Sequence, residues 1–274
     1  SLKIIGSKVL ALGDEIRFKG ILREPLPNTN PRLYNHKLNL LMDNIFTTVT
    51  IKDYSIIDTD QSMPNILYKL KGNFIIKVEE TFQYYFTGKS SDLMKSILLG
   101  KTSYLDQESI QQIRDLGLAH ILAVSGLHIG IITGVLLFLF AYIGLNRKLN
   151  IVLTVTILWL YAYIIGNPLS VLRANIMFTL LLLANLWAEP YDSINALFFA
   201  LFILIIINPY WILDLGFQLS FIATFSILYL TPRLNQIFYS KDSNIMKALV
   251  GILSVQIGLF PILSYYFNRI PIMS

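Results

Sequence analysis

Apolar residues run in long segments, separated by short polar connections, from about residue 116 onward. There are six such segments, at residues 118–143, 149–165, 169–187, 194–207, 211–230 and 248–270. A helix needs about 20 apolar residues to cross a hydrocarbon core of about 30 Å. The pattern therefore predicts a polytopic α-helical membrane protein, in which the short segment at 194–207 is tilted, re-entrant or buried in protein.

The first 72 residues follow a different pattern. Apolar and charged side chains alternate over residues 15–22, as in a half-buried strand, and residues 46–57 are rich in β-branched and aromatic types. A loop at 24–31 and a helix or irregular turn at 33–42 lie between them. So few short strands predict a small barrel or part of one.

Residues 73–86 and 92–99 have the pattern of amphipathic helices, and Ser103 and Asp106 are helix-start signals before residues 106–116. We therefore predict three parts. These are a β domain at 1–72, an amphipathic helical connector at 73–116 and a helical transmembrane domain at 117–274, which we expect to be incomplete at its C-terminal end.

Composition supports the membrane interpretation, since 54% of the residues are hydrophobic, 14% are charged and the mean hydropathy is +0.59. Few charges fall between residues 116 and 230: Arg147, Lys148, Arg173, Glu189, Asp192 and Asp214. The chain has no cysteine, which excludes disulfides, thiolate catalysis and cysteine-based metal sites. The net charge of +5 suits anionic lipid or nucleic acid without choosing between them.

The positive-inside rule orients the six segments. Cations follow the first and fifth segments, at Arg147, Lys148, Arg233, Lys241 and Lys247, which places both connections in the cytoplasm. The connections at 166–168 and 208–210 hold no Lys or Arg and face outward. The β domain then lies outside the cytoplasm, although the acidic connection at 188–193 falls on the inner side without a cation.

Three glycines, Gly126, Gly130 and Gly134, recur every four residues and line one face of a helix, the spacing of a close helix contact. His120 and His128, eight residues apart, fall about 80° from each other if one helix carries both. Polar side chains at membrane depth are costly and usually face a bundle interior or a wet cavity. For His120, His128 and Ser125, a packing role and a functional role both stay open.

Charged and polar residues also interrupt two later segments. Arg173 lies a few residues inside its span, and Asp214 precedes Gln218 and Ser220 in another. A cation and an anion placed in this way pair across helices or flank a hydrophilic path. The sequence does not decide between these arrangements.

The decisive motif is G-L-A-H-I-L-A-V-S-G-L-H at residues 117–128. It resembles the G-L-A-H-L-L-A-V-S-G-L-H of the ComEC-type competence proteins. Further similar stretches are L-R-A at 172–174, D-S-I-N-A-L at 192–197 and the run from 208 to 221. Two family signatures differ here, because Arg32 and Leu215 stand where the family has glycine and proline.

The resemblance implies an inner-membrane channel that moves single-stranded DNA into the cytoplasm during natural transformation. It implies an extracytoplasmic OB-fold at residues 1–72, no cofactor, no metal site, and contact with lipid and with other competence proteins such as a DNA receptor and a translocase. The family's metallo-β-lactamase-like domain is not in this sequence, so no nuclease activity and no catalytic residue is assigned. The channel candidates are His120, Ser125, Gly126, His128, Gly130, Arg173, Asp214 and Gln218.

OB-folds bind single strands through basic grooves and stacking aromatics. The candidates for that contact are Arg17, Lys19, Arg23, Arg32, Tyr34 and Lys52, against the alternative that they belong to a solvated surface. Two other functions stay open. One is an intramembrane hydrolase with Ser125 as nucleophile and His120 or His128 as base. The other is a small-solute or ion transporter, which would need more ligands than two histidines and Asp214.

Overall fold

The computed structural model describes residues 15–18, 20–25, 36–42, 45–50, 54–58, 66–115, 124–237 and 244–267. Contacts divide the chain into two units, Ser1–Lys77 and Val78–Ser274. This division falls inside one long helix. The three-part division at 1–72, 73–116 and 117–274 stays a prediction.

The described residues of the N-terminal unit before residue 66 form short strands and one short helix: β1 (Glu15–Phe18), β2 (Ile21–Arg23), α1 (His36–Met42), β3 (Thr48–Thr50) and β4 (Tyr54–Asp58). Each predicted strand region therefore contains two strands. β1 pairs antiparallel with β4, and β2 pairs antiparallel with β3. Among the described residues these are two separate two-stranded sheets, so the OB-fold stays a prediction.

Between β4 and the apolar helices the chain forms α2 (Ile66–Tyr85), α3 (Lys89–Leu99), a 3₁₀ turn (Thr102–Tyr104) and α4 (Gln107–Asp115). Asp106 caps α4 by accepting the Ser109 amide at 2.9 Å. The Tyr104 hydroxyl donates to Glu79 Oε1 at 2.7 Å. Burial, together with that hydrogen bond, raises the pKa of Tyr104 to about 12.

The apolar segments form six helices in the described residues beyond 124: α5 (Gly126–Tyr142), α6 (Arg147–Ile165), α7 (Leu169–Trp187), α8 (Ser193–Ile207), α9 (Leu215–Ile237) and α10 (Asn244–Phe267). A 3₁₀ helix (Pro209–Leu213) precedes α9. α9 continues seven residues past the predicted end at 230, through Pro232. Proline is tolerated there because neighbouring helices and polar side chains can satisfy the freed backbone groups.

The first helix starts later than predicted. Ser125 has an extended backbone, with φ −109° and ψ 171°, and α5 begins at Gly126. One uninterrupted helix therefore cannot carry both His120 and His128, and the 80° relation between them is wrong. The cause is a capping box formed by Ser125 and His128, which starts α5 at this point.

Helix α7 lies at the centre of the bundle, since it contacts α5, α6, α8 and α9. One buried cluster joins it to α5 and α6, through Val124, Ile129, Leu158, Ala162, Ile165, Val171 and Ala174. A second joins it to α8 and α9, through Ile176, Leu197, Ala200, Leu204, Phe217 and Phe221. Side chains of α7 can therefore touch all four neighbours.

Hydrogen bonds from a few polar side chains tie the helices together. Asn175 on α7 is fully buried and donates to the carbonyl of Leu158 on α6 at 2.9 Å. The Tyr161 hydroxyl donates to the Leu98 carbonyl at 2.9 Å, which holds the end of α3 against α6. Gly100, with φ +66°, ends α3, and a Cβ there would lie 2.9 Å from Val124 Cγ2.

Four of these helices, α6, α7, α9 and α10, are long and apolar enough to cross a membrane, and α5 and α8 are shorter apolar helices. The chain is therefore a multi-pass membrane protein. The connection before α8 folds back along α7, since the Tyr191 hydroxyl donates to the Met177 carbonyl at 3.3 Å, ten residues before the end of α7. α8 then runs for 15 residues, from its Asp192 cap to the C-cap at Asn208.

Helices α9 and α10 pack closely through small residues. A Cβ on Gly258 would overlap Ser226 Oγ and would lie 2.7 Å from Ser226 Cβ. On the same interface the Thr231 hydroxyl donates to Ser254 Oγ at 3.0 Å. Lipid offers apolar helices no hydrophobic reason to associate, so close packing and hydrogen bonds such as these hold them together.

Candidate functional site

The first turn of α5 is organised by Ser125 and His128. The Ser125 amide donates to His128 Nδ1 at 3.1 Å, and the Ser125 hydroxyl lies 3.0 Å from the same nitrogen. Since Nδ1 accepts the amide, the neutral imidazole carries its proton on Nε2. Both residues thus have a defined structural task at the start of the helix.

Arg173 crosses from α7 to α9 in the interior of the bundle. Only 8% of the Arg173 surface is exposed to solvent. Its Nη1 donates to the carbonyl of Ser220 and to the hydroxyl of Thr224. Its guanidinium carbon lies 5.9 Å from the ring centroid of Phe221. Its Nε is buried and has no hydrogen-bond partner.

The glycine face of α5 meets α7 at two of its three positions. A Cβ on Gly126 would lie 2.8 Å from Arg173 Nη2, and a Cβ on Gly130 would lie 3.3 Å from Phe178 Cζ. Gly134 has nothing within 4 Å of its Cβ position. The packing interpretation therefore applies to Gly126 and Gly130, and at Gly126 the neighbour is a charged group.

A cleft of about 280 Å³ opens beside this contact. Its lining residues come from four helices and the connection before α8: Gly126, Arg173, Ala174, Met177, Phe178, Leu181, Tyr191, Ser193 and Thr224. Most of the wall is apolar, and among the described residues that line it Arg173 is the only charged one. The guanidinium therefore dominates the electrostatics of the cleft.

Asp214 does not compensate that charge. It caps α9, accepting the Phe217 amide at 2.7 Å, and no ion pair joins it to Arg173, although both lie in described parts of the chain. Gln218 Nε2 donates to the Ile212 carbonyl at 2.8 Å and holds the turn before α9. Asp214 and Gln218 thus both hold the start of α9, and neither of them lines the cleft.

Several predicted residues cannot be placed. Five of them lie outside the described residues: His120, Lys19, Arg32, Tyr34 and Lys52. The side chain of Arg17 on β1 is also not described. Arg23 is exposed on β2. A salt bridge of 2.6 Å joins its neighbour Glu24 to Lys37 and lowers the pKa of that carboxyl. The nucleic-acid candidates thus stay a prediction.

The sequence reasoning did not predict the partners of Arg173 on α9. Thr224 offers its hydroxyl, but Ser220 offers its backbone carbonyl, which any residue at that position would have. The sequence of α9 therefore gave no specific signal for the contact. Tyr191 gave none, because it enters the cleft only through the folded-back connection before α8. Among the described residues, no group of three or more His, Cys, Asp or Glu side chains is placed to hold a metal ion.

Comparison with known proteins settles the family. Residues 97–274, which include all six apolar helices, match the family described as Competence protein. The chain belongs to this family. ComE operon protein 3 of Bacillus subtilis (strain 168) is 27% identical over 262 residues, or 96% of this chain. The competence protein described here is thus of the ComEC type that its motif at 117–128 predicts.

A second relative, an uncharacterized protein of Aquifex aeolicus (strain VF5), is 31% identical over 151 residues, or 55% of this chain. The chain spans 33% of the length of the Bacillus protein and 34% of the Aquifex protein. No solved structure matches this chain. The match therefore covers about a third of each relative, and the activity of a whole competence protein is a proposal for this chain.

Proposed function

We propose that this chain is the part of an inner-membrane channel through which single-stranded DNA enters the cytoplasm during natural transformation. The family match over residues 97–274 carries the proposal, since those residues form the membrane helices. A channel for a polyanion needs cations where the strand passes, and charged residues inside membranes typically mark such paths. Arg173 is a cation in that position, facing a cleft within the bundle.

The orientation of the channel follows from its cations. Arg147 and Lys148 begin α6, and Arg233 lies near the end of α9, so the positive-inside rule assigns both ends to the cytoplasm. The starts of α5 and α7 then lie toward the outside, together with the N-terminal unit. Arg173, one turn into α7, lies near the outer entrance in this arrangement.

The N-terminal unit, in this proposal, is an OB-fold that meets the DNA outside the cell. Its exposed Arg23, with Phe46 59% exposed, gives a cation and an aromatic surface of the kind that binds single strands. We expect lipid, a DNA receptor and a translocase as further partners.

The hydrolase alternative has one geometric point in its favour. The Ser125 hydroxyl and His128 Nδ1 are 3.0 Å apart, which is within the range of a nucleophile and its base. The capping box accounts for this distance without catalysis, and no carboxylate of a described residue is hydrogen-bonded to His128 to orient it. We therefore propose a channel without enzymatic activity; loss of a measured hydrolysis in a Ser125→Ala variant would reverse this choice. An ion or small-solute transporter has no cluster of ligands in its favour among the described residues.

The test is uptake of labelled DNA by cells whose own gene is deleted and replaced by full-length variants. We expect wild type to restore internal DNA and His128→Ala to reduce it at equal membrane insertion. His128→Gln is the matched control, since glutamine at this position keeps the capping box. If His128→Gln supports uptake, the role of His128 is to fold the start of α5. If His128→Gln also loses uptake, His128 belongs to the path of the DNA. Normal uptake in the deletion strain would reject the channel.

A further inference from the structure

We propose that Arg173 and the first turn of α5 form a binding site for a phosphodiester group of the single strand. The inference rests on the proposed function and adds to it a specific contact. Three independent features meet at this point of the bundle. They are a buried cation without a counter-ion, a helix N-terminus and a cleft that both of them line.

The charge of Arg173 is uncompensated by the protein described here. Its Nη1 bonds only neutral oxygens, of Ser220 and Thr224, and its buried Nε has no acceptor. No carboxylate of a described residue lies within ion-pair distance of it. A buried charge is expensive unless it is paired, so an anion from outside the chain would offset the cost.

The start of α5 supplies further donors. A helix leaves its first amides without intrahelical partners, and its N-terminus carries about half a positive charge. The Ser125 amide is used by His128 Nδ1, but the amides of Gly126 and Leu127 have no acceptor among the described residues. Gly126 lets Arg173 come close, because a Cβ there would lie 2.8 Å from Nη2. The amides of a helix N-terminus and a guanidinium beside them are both groups that bind phosphate.

The cleft limits what binds there. At about 280 Å³ it lies just below the usual range of ligand pockets, about 300–1,000 Å³, which suits one phosphate with part of its sugar and excludes a duplex. Met177, Phe178 and Leu181 extend the apolar wall beyond the cation. That wall suits a sugar or base face better than a second charge. A phospholipid headgroup offers the same phosphate chemistry, so the experiment must separate the two sources.

The test measures binding of a labelled single strand to the full-length protein in nanodiscs as a function of salt. The slope of log Kd against log salt reports the number of phosphates contacted, about 0.7 for each phosphate of a single strand. We expect Arg173→Met to reduce the slope by about 0.7 and Arg173→Lys to preserve it. Arg233→Met is the matched control, because it removes a cation of the same type that does not line the cleft, and its slope should stay at the wild-type value. An unchanged slope in Arg173→Met would overturn the inference, since a purely structural arginine gives that result.

Two further arms identify the phosphate. A strand with uncharged methylphosphonate at each linkage should lose the difference between wild type and Arg173→Met, if DNA occupies the site. If nanodiscs of phosphate-free lipid alone remove that difference, the occupant is a lipid headgroup and the DNA assignment is wrong. DNA uptake by cells separates the two proposals. If Arg173→Met supports the same uptake as wild type, this site is wrong and the channel stands. If uptake does not depend on the wild-type protein, the channel itself is wrong.

Discussion

Replacing Gly258 by alanine should weaken the contact between α9 and α10. The new Cβ would overlap Ser226 Oγ and lie 2.7 Å from Ser226 Cβ, whereas carbons in ordinary contact are about 3.5–4.0 Å apart. The helices must therefore separate by about 1 Å locally. Overpacking of this kind costs about 1–3 kcal/mol. The hydrogen bond between Thr231 and Ser254 lies on the same interface and would lengthen with it.

Gly251 is the matched control, because it is on the same helix and has nothing within 4 Å of its Cβ position. Alanine favours a helix over glycine by about 1 kcal/mol at either site, so this gain cancels when the two variants are compared. Gly258→Ala should then be less stable than Gly251→Ala by about 1–3 kcal/mol.

The assay is equilibrium unfolding of the full-length protein in micelles, with each variant's midpoint converted to a free energy. Combining Gly258→Ala with Ser226→Gly should recover most of the loss, because the second change removes the atoms that the new Cβ meets. Equal stability of the two alanine variants, or no recovery in the double variant, would show that α9 and α10 do not pack as described.

Three other expectations follow from single contacts. Gly126→Ala should reduce DNA uptake because its Cβ displaces Arg173, whereas Gly134→Ala, which meets nothing within 4 Å, should leave uptake unchanged in the same cells. Asp214→Ala should destabilise the protein by about 1 kcal/mol through loss of the α9 cap, and Asp214→Asn by less, as chemical unfolding would measure. The pKa of Tyr104 is about 12, above its ordinary value of about 10, so its contribution to stability is complete below pH 10 and is lost as pH rises toward 12. Glu79→Gln should move its tyrosinate absorbance change to lower pH, and an unmoved transition would contradict the contact.

The positions of the helices were predictable because the apolar segments are continuous and are separated by recognisable polar connections. The start of α5 was not, because Ser125 lies inside a continuous apolar stretch and its partner His128 is an unusual third residue for a capping box. Periodicity records which residues share a helix face. Periodicity gives no signal for a side chain that starts a helix inside a continuous apolar stretch.

The candidate site was predictable only in part. The cost of a charge in an apolar segment singled out Arg173, but its partners on α9 lie 47 and 51 residues away along the chain. No local pattern specifies such a contact, since it depends on how α7 and α9 cross. Asp214, which the sequence left open as a partner of Arg173 or as a residue flanking a hydrophilic path, caps α9, a local role that its position immediately before the helix favours.

The 15 residues of α8 bear on the electric field within the proposed channel. At 1.5 Å per residue the helix is about 22 Å long, less than the bilayer core of about 30 Å. Beside a short helix the bilayer thins, and the membrane potential then falls over a shorter distance. Each negative charge drawn toward a cell interior at −100 mV works against about 2.3 kcal/mol. A thin septum does not change that work per phosphate. It holds fewer phosphates at once, each in a steeper field, so the force on a strand in the proposed channel is set by the potential and not by the length of α8.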